Sequence, residues 1–241
     1  MARIDLGDVS ESHDDAPRRP PDEARGGHLG FVAHEIRNPL STALWTAELL
    51  ARMPASERGG PRGEKLSAMC LRSIARVRQL VEDHLMTERL DAGGLPLRVE
   101  AVGVAEAFGP LLERRPPDAP PVKVEADAAL GVDADRGVLE RVLEILVAVA
   151  GAEGAPVTVG ARVAGDTVVV VVGGQAADLA ALADPVKGSP SDPTGRALAL
   201  PLARRIAGAL GGTLAAGEGG WWLTLPRART YTPRASSAAR P

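Results

Sequence analysis

A histidine with a carboxylate beside it and an amide one helical turn further on lies near the start of the chain, in the run Phe31-Val32-Ala33-His34-Glu35-Ile36-Arg37-Asn38-Pro39-Leu40. In a helix, Asn38 shares a face with His34, and Glu35 lies beside them. An imidazole has a neutral nucleophilic form near pH 7 and can accept a phosphoryl group. The carboxylate can hold one ring N–H and leave the other nitrogen nucleophilic, and the amide can orient a water for hydrolysis.

The same spacing also fits a surface histidine on an amphipathic helix, with Glu35 and Arg37 as solvated charges. A zinc site is excluded, because the run His-Glu-x-x-Asn lacks the second histidine of the zinc-binding His-Glu-x-x-His pattern. The other histidines, at positions 13, 28 and 84, indicate no role. From the residues alone, phosphoryl chemistry and a solvated helix surface both stay open.

Two long helical segments position this histidine. Apolar residues recur at three- and four-residue spacing over 29–50 and again over 66–85, with Pro and Gly residues between 54 and 61 and a Gly pair at 93–94. Pro39 cannot donate to the carbonyl of Glu35, so we expect a bend there. The pattern predicts a helical hairpin with about 25 residues per arm, and such hairpins usually pair into a dimeric four-helix bundle.

The region from about 97 to 226 alternates strands and helices. Strands are predicted at 97–102, 122–126, 157–163, 167–172, 212–216 and 221–225, and helices at 104–114, 135–150 and 197–210. The third and fourth strands are joined by Ala164-Gly165-Asp166, which suits a hairpin turn. The order predicts a mixed-sheet α/β sandwich following the helical hairpin.

Composition limits the remaining possibilities. Residues 1–26 are polar and rich in Pro, Asp and Arg, and 227–241 form a basic tail with Pro and Ser, so both are predicted to be disordered. The formal net charge of −3 argues against nucleic-acid binding. The single cysteine, Cys70, is expected in the core. No run approaches the roughly 18 apolar residues of a membrane span, and no signal peptide is evident, so we expect a cytoplasmic protein without a transmembrane segment.

The run from His34 to Leu40 resembles the H-box of sensor histidine kinases, and the run Leu85-Met86-Thr87-Glu88-Arg89-Leu90-Asp91-Ala92-Gly93 resembles the end of that family's dimerisation and phosphotransfer domain. The resemblance covers about 28–226. It implies a homodimeric phosphotransfer hairpin over 27–94 and an α/β domain of the histidine kinase ATPase type over 95–226. It also implies His34 as phosphoacceptor, Glu35 as the assisting base, Asn38 as a dephosphorylation residue, and a response-regulator receiver domain as partner.

The α/β region departs from the family's nucleotide boxes. Ile145 and Val149 stand where the N-box presents asparagines, and neither can ligate Mg²⁺, which requires oxygen ligands. Gly174 stands where an aspartate reads adenine. Ala197 and Ala199 replace the glycines whose backbone approaches the phosphates. These substitutions predict a degenerate ATPase-like domain with no cofactor-binding or metal-binding residues.

Some features of these boxes leave room for nucleotide. Gln175 or Asp178 could substitute for the missing aspartate, although their spacing is wrong, and 184–190 resembles a shortened ATP lid. Three functions follow. The first is a phosphotransferase that exchanges phosphate between His34 and receiver aspartates and needs no cofactor. The second is a working kinase that uses ATP and Mg²⁺, and the third is a non-catalytic scaffold for receivers or kinases.

Overall fold

The structure, a computed structural model, describes residues 21–116, 119–174 and 196–233. Its first part is a helical hairpin. Helix α1 spans Pro21–Arg52, a short helix α2 spans Ala55–Arg58, and helix α3 spans Pro61–Asp91. Both arms are longer than predicted, with 32 and 31 residues. Within the described ranges, no helix is both long and apolar enough to cross a membrane.

The prediction of disorder over 1–26 is wrong for residues 21–26, which form the first turns of α1. Residues 1–20 lie outside the described residues, so the rest of that prediction is untested.

Local signals fix the ends of α3. Pro61 occupies the first turn, where its missing N–H costs nothing. At the other end Gly93 takes a φ of 64°, and the N–H of Gly94 donates to the carbonyl of Arg89 at 2.9 Å. This left-handed glycine cap stops the helix and turns the chain toward the α/β region.

The second part contains short helices, strands and two longer helices. The strands are β1 Glu100–Gly103, β2 Val122–Glu125, β3 Gly131–Ala134, β4 Val157–Ala164, β5 Thr167–Gly173, β6 Thr213–Gly217 and β7 Gly220–Pro226. The helices are α4 Val104–Ala107, α5 Gly109–Glu113, α6 Arg136–Ala150 and α7 Arg196–Ala209, with a 3₁₀ turn at Ala152–Gly154.

Five strands form a mixed sheet in the order β2-β4-β5-β7-β6, in which only the β2–β4 pair is parallel. The predicted hairpin joins β4 and β5, and Gly165 at its tip has a φ of 61°. Strands β1 and β3 pair separately as an antiparallel ribbon. Buried side chains of α6 and α7 pack with those of the sheet in one hydrophobic core. The predicted arrangement, a helical hairpin followed by a mixed-sheet α/β sandwich, is confirmed.

The chain beyond β7 returns to the β1–β3 ribbon. Arg227 forms an isolated bridge with Val132, and the N–H of Ala228 donates to the carbonyl of Gly131 at 3.0 Å. The Tyr231 ring lies against Gly103 and Gly131, where an added Cβ would stand 2.0 and 2.4 Å from its atoms. The prediction of a disordered tail from 227 is therefore wrong for 227–231, because this segment has backbone and aromatic partners. Residues 234–241 lie outside the described residues.

Helix α3 joins the hairpin to the α/β part. Met86 and Leu90 pack against the main core. Asp83, which is 6% exposed, accepts from the Arg141 guanidinium of α6 at 2.7 Å on each carboxylate oxygen. At the end of α3, Asp91 accepts from Arg205 of α7 at 2.7 Å. The two parts are therefore held together by a buried ion pair, a second charged contact and apolar packing.

Candidate active site

Helix α1 presents His34 to solvent because of the side chains two residues away on each side. Val32 is 5% exposed, and Ile36 is partly buried against the same small cluster. Residues two apart in an α-helix are separated by about 200° around its axis. Burial of Val32 and Ile36 therefore directs His34 outward, and Asn38, one turn further on, is also exposed.

The His34 imidazole makes no hydrogen bond or ion pair with the residues that the structure describes. Glu35 is half-buried and has interactions of its own, and the structure does not join its carboxylate to the imidazole. The structure thus brings His34 and Asn38 onto one exposed face and leaves Glu35 beside them. An accessible imidazole is the geometry that a nucleophile needs to meet a second macromolecule.

Helix α1 continues through Pro39 to Arg52. Proline has no N–H, so the carbonyl of Glu35 lacks the usual helical donor from position 39. One turn later the Thr42 hydroxyl donates to the carbonyl of Asn38 at 3.1 Å. Position 39 therefore donates no backbone hydrogen bond within the helix that carries His34.

A groove of about 440 Å³ lies between α1 and α3 on the side of Asn38. It is lined by Glu35, Asn38, Pro39 and Thr42 of α1 and by Met69, Arg72, Ser73 and Arg76 of α3. The α3 residues were missed in the sequence, although Arg72 and Arg76 have the i, i+4 spacing that places two cations on one face. Glu35, the residue after His34, lines the same groove, so two cations and one carboxylate lie beside this segment of α1.

Three of the positions aligned with nucleotide-binding residues, 145, 149 and 174, can be described in the structure. Ile145 is 3% exposed and Val149 is 8% exposed, and both belong to the main core. At Gly174, an added Cβ would stand 2.3 Å from the carbonyl oxygen of Ala150. No aspartate could occupy position 174 without moving the backbone of α6. Positions 145 and 149 therefore supply no oxygen ligand for Mg²⁺, and position 174 supplies no carboxylate for adenine.

Other parts of the nucleotide boxes cannot be placed. Gln175, Asp178 and the lid-like run 184–190 lie outside the described residues, and the Ala197 side chain is not described either. Leu198, next in α7, is buried in one cluster with Val32 and Leu80. In the described part of the chain, no cluster of three or more His, Cys, Asp or Glu side chains could hold a metal ion.

Cys70 lies half-buried between the two long helices, and its Sγ is 3.5 Å from the carbonyl oxygen of Ala43. This contact matches the expected small interior residue. His84, on α3, is also half-buried and has interactions of its own. Neither side chain lines the groove beside His34.

Comparison with known proteins places these features in context. Residues 24–93 match the His Kinase A (phospho-acceptor) domain. The chain is 35% identical over 95 residues to the cell-division control histidine kinase PdhS of Brucella ovis and of Brucella abortus. Those 95 residues are 38% of this chain and 9% of each relative, so the chain spans only a small part of the relatives' length.

Solved structures share the fold over most of the chain. The Acinetobacter baumannii histidine kinase AdeS matches with a TM-score of 0.58 and 18% identity, covering 80% of this chain and 97% of that one. Full-length ShkA, solved in complex with AMPPNP, matches with a TM-score of 0.57 and 21% identity, covering 88% of this chain and 47% of that one. At these identities the likeness concerns the fold.

Proposed function

We propose that the chain, whose residues 24–93 match the His Kinase A (phospho-acceptor) domain, exchanges phosphate between His34 and receiver-domain aspartates without taking it from ATP. One contrast carries this proposal. His34 is exposed beside an open groove, whereas Ile145 and Val149, at the positions of the metal-binding asparagines, are packed into the core.

The transfer needs only a nucleophile from this chain. A ring nitrogen of His34 attacks the phosphorus of a receiver aspartyl phosphate, a P–N bond forms, and the P–O bond to the aspartate breaks with release of the carboxylate. Such transfers depend on positioning and on neutralisation of the phosphoryl oxygens, and the receiver would supply Mg²⁺. The reverse step returns the phosphoryl group to an aspartate.

Neighbouring side chains have separate roles in the proposal. Glu35 assists by keeping the attacking nitrogen of His34 unprotonated. Asn38, exposed on the same face, orients a water for removal of phosphate from the receiver. Arg72 and Arg76 line the groove and give it a charge that complements the acidic phosphorylation pocket of a receiver.

The proposal includes a homodimer. Seven large apolar side chains of α1 and α3 are at least 40% exposed: Leu40, Leu44, Trp45, Leu71, Ile74, Val81 and Leu85. Apart from Trp45, their spacings of three, four or seven residues on each helix place them along one stripe. An apolar surface of this extent on two adjacent helices is typical of a four-helix bundle formed by two hairpins.

Two sources of phosphate test the function. The purified protein is incubated with labelled ATP and Mg²⁺, and separately with labelled phosphorylated receivers. We expect label from a receiver and none from ATP. His34→Ala should abolish labelling, whereas His28→Ala, which removes a different histidine of the same helix, should not.

The outcomes separate the three functions. Label from ATP that needs His34 would establish a working kinase and refute the ATP-independent proposal. Absence of label from every receiver and from ATP, with receivers still bound, would establish a scaffold. Label that persists in His34→Ala would refute the phosphoacceptor assignment.

Two further variants separate the roles of the neighbours. Glu35→Ala should slow transfer by about 10²-fold if Glu35 acts as a general base. Asn38→Ala should mainly slow loss of phosphate from the receiver, because in that step the water that Asn38 orients attacks the phosphorus and no proton leaves His34. Asn38 is exposed and Glu35 is half-buried, so the melting temperature should stay close to that of the unmodified protein, and closer for Asn38→Ala than for Glu35→Ala.

A further inference from the structure

The α/β part shares a buried apolar cluster with the helix that carries His34, on the face opposite the histidine. Leu198, in the first turn of α7, is 9% exposed and packs in one cluster with Val32 and Leu80. Ile36 packs against the same cluster. Val32 and Ile36 are the residues two before and two after His34, so Leu198 lies directly behind the phosphoacceptor segment.

This segment of α1 depends on packing for its position. Pro39 has no N–H, so this turn of α1 has one backbone donor fewer than a regular helix. Leu80 of α3 and Leu198 of the α/β part complete the buried cluster to which Val32 of this segment belongs. A helix turn with fewer backbone donors opens locally more easily, unless tertiary packing opposes it.

A charged anchor holds α6 against α3 nearby. The Arg141 guanidinium reaches Asp83 through three N–O contacts of 2.7, 2.7 and 3.0 Å, and Arg141 also pairs with Glu144 at 2.6 Å. The Gln79 amide donates to the same carboxylate at 3.0 Å. Asp83 lies three residues, almost one turn, after Leu80 on α3. A planar guanidinium bound to both carboxylate oxygens fixes orientation as well as distance.

We propose that the α/β domain serves as a brace for the phosphoacceptor helix. Leu198 is the positioning residue that holds the segment 32–38, and the Asp83–Arg141 pair is the anchor that keeps Leu198 in place. In this domain Ile145 and Val149 occupy the positions of metal-binding asparagines and are packed in the core. The brace gives the domain a mechanical role in the transfer reaction. The effect on transfer rests on the proposed function of His34, whereas the effect on helix order does not.

Hydrogen–deuterium exchange of the full chain measures helix order directly. Leu198→Ala should raise the exchange rate of backbone amides in 32–38 by about tenfold, because a buried leucine is removed from the cluster that holds Val32. The matched control is Leu200→Ala, in the same helix. Leu200 is 1% exposed and packs in the main core, so its loss should raise exchange within the α/β domain and leave 32–38 unchanged.

The anchor has its own test. Arg141→Asp should raise exchange in 32–38 as Leu198→Ala does, and the exchanged pair Asp83→Arg with Arg141→Asp should restore most of the protection. If 32–38 stays protected in Leu198→Ala while that protein remains folded, the brace is refuted. If both leucine variants loosen 32–38 equally, the effect is general destabilisation and the brace is also refuted.

The kinetics of phosphate transfer from a phosphorylated receiver test whether Leu198 positions His34 for the reaction. Leu198→Ala should lower kcat about tenfold with little change in KM, because the receiver-facing groove is intact while the histidine is less well held. A fall confined to receiver affinity would overturn the positioning role. If the unmodified protein accepts no phosphate from any source, the proposed function fails, and the exchange measurements still decide whether the brace exists.

Discussion

Replacing Arg141 with methionine should destabilise the protein strongly, because it leaves the Asp83 carboxylate buried with little compensation. Asp83 is 6% exposed, and the substitution removes the three contacts between its carboxylate and the Arg141 guanidinium. Removing one partner of a buried ion pair typically costs 3–5 kcal/mol. The Gln79 amide still donates to this carboxylate, so we expect a value near the lower end, about 3 kcal/mol.

A surface ion pair on α3, the helix that carries Asp83, provides the comparison. Arg78 and Glu82 are 3.6 Å apart with the i, i+4 spacing, and their side chains are 76% and 57% exposed. Exposed helical pairs of this kind contribute about 0.3–0.5 kcal/mol. Glu82→Gln should therefore cost several times less than Arg141→Met, although both changes remove one charge from a pair that involves α3.

Urea denaturation followed by circular dichroism, at one fixed protomer concentration, measures both free energies of unfolding. A double variant, Asp83→Leu with Arg141→Met, should recover most of the lost stability, since apolar replacement of a whole buried pair is often neutral. The reasoning is refuted if Arg141→Met costs no more than Glu82→Gln. It is equally refuted if the double variant is as unstable as Arg141→Met alone, because the stranded carboxylate would then not be the cause.

The other expectations concern ligand, assembly and packing. Titration calorimetry with ATP and Mg²⁺ should show no binding; a dissociation constant in the micromolar range would support the working kinase instead. Light scattering at micromolar concentration should show a dimer, and Leu44→Glu with Leu71→Glu should give a monomer that keeps its helical circular dichroism; a monomeric unmodified protein would rule out the dimer. Gly131→Ala should cost about 1–3 kcal/mol through displacement of the Tyr231 ring, and a melting temperature unchanged by this substitution would contradict the packing of that ring.

The elements with strong local signals were predictable from the sequence. The i, i+3/i+4 apolar spacing identified both long helices, and Asp135 marked the start of α6, where its side chain accepts from the N–H of Val138 at 3.1 Å. The turn at Gly165 identified the β4–β5 hairpin. In each of these cases the residues that determine the structure are near neighbours in the chain.

Features that depend on distant partners were missed. Strand β3, Gly131–Ala134, has four residues and no alternating apolar run, and its pairing with β1 crosses some thirty residues of chain. Strand pairing of that kind is decided by tertiary contacts. In the sequence Arg72 and Arg76 look like ordinary surface residues. Only the packing of α1 against α3 places them in a groove. The contact between Asp83 and Arg141 joins positions 58 apart, and no local pattern marks either residue as a partner.

The return of residues 227–231 to the β1–β3 ribbon places the beginning and the end of the α/β domain side by side. Tyr231 lies against Gly103, the last residue of β1, and Arg227 bridges to the neighbouring strand. Domains whose termini are adjacent at the surface commonly tolerate circular permutation. A short linker between the two ends, with new termini opened at the Gly165 turn, should therefore preserve this domain. Such a permuted protein would keep every strand pairing of the domain and would lose only the covalent connection between β4 and β5.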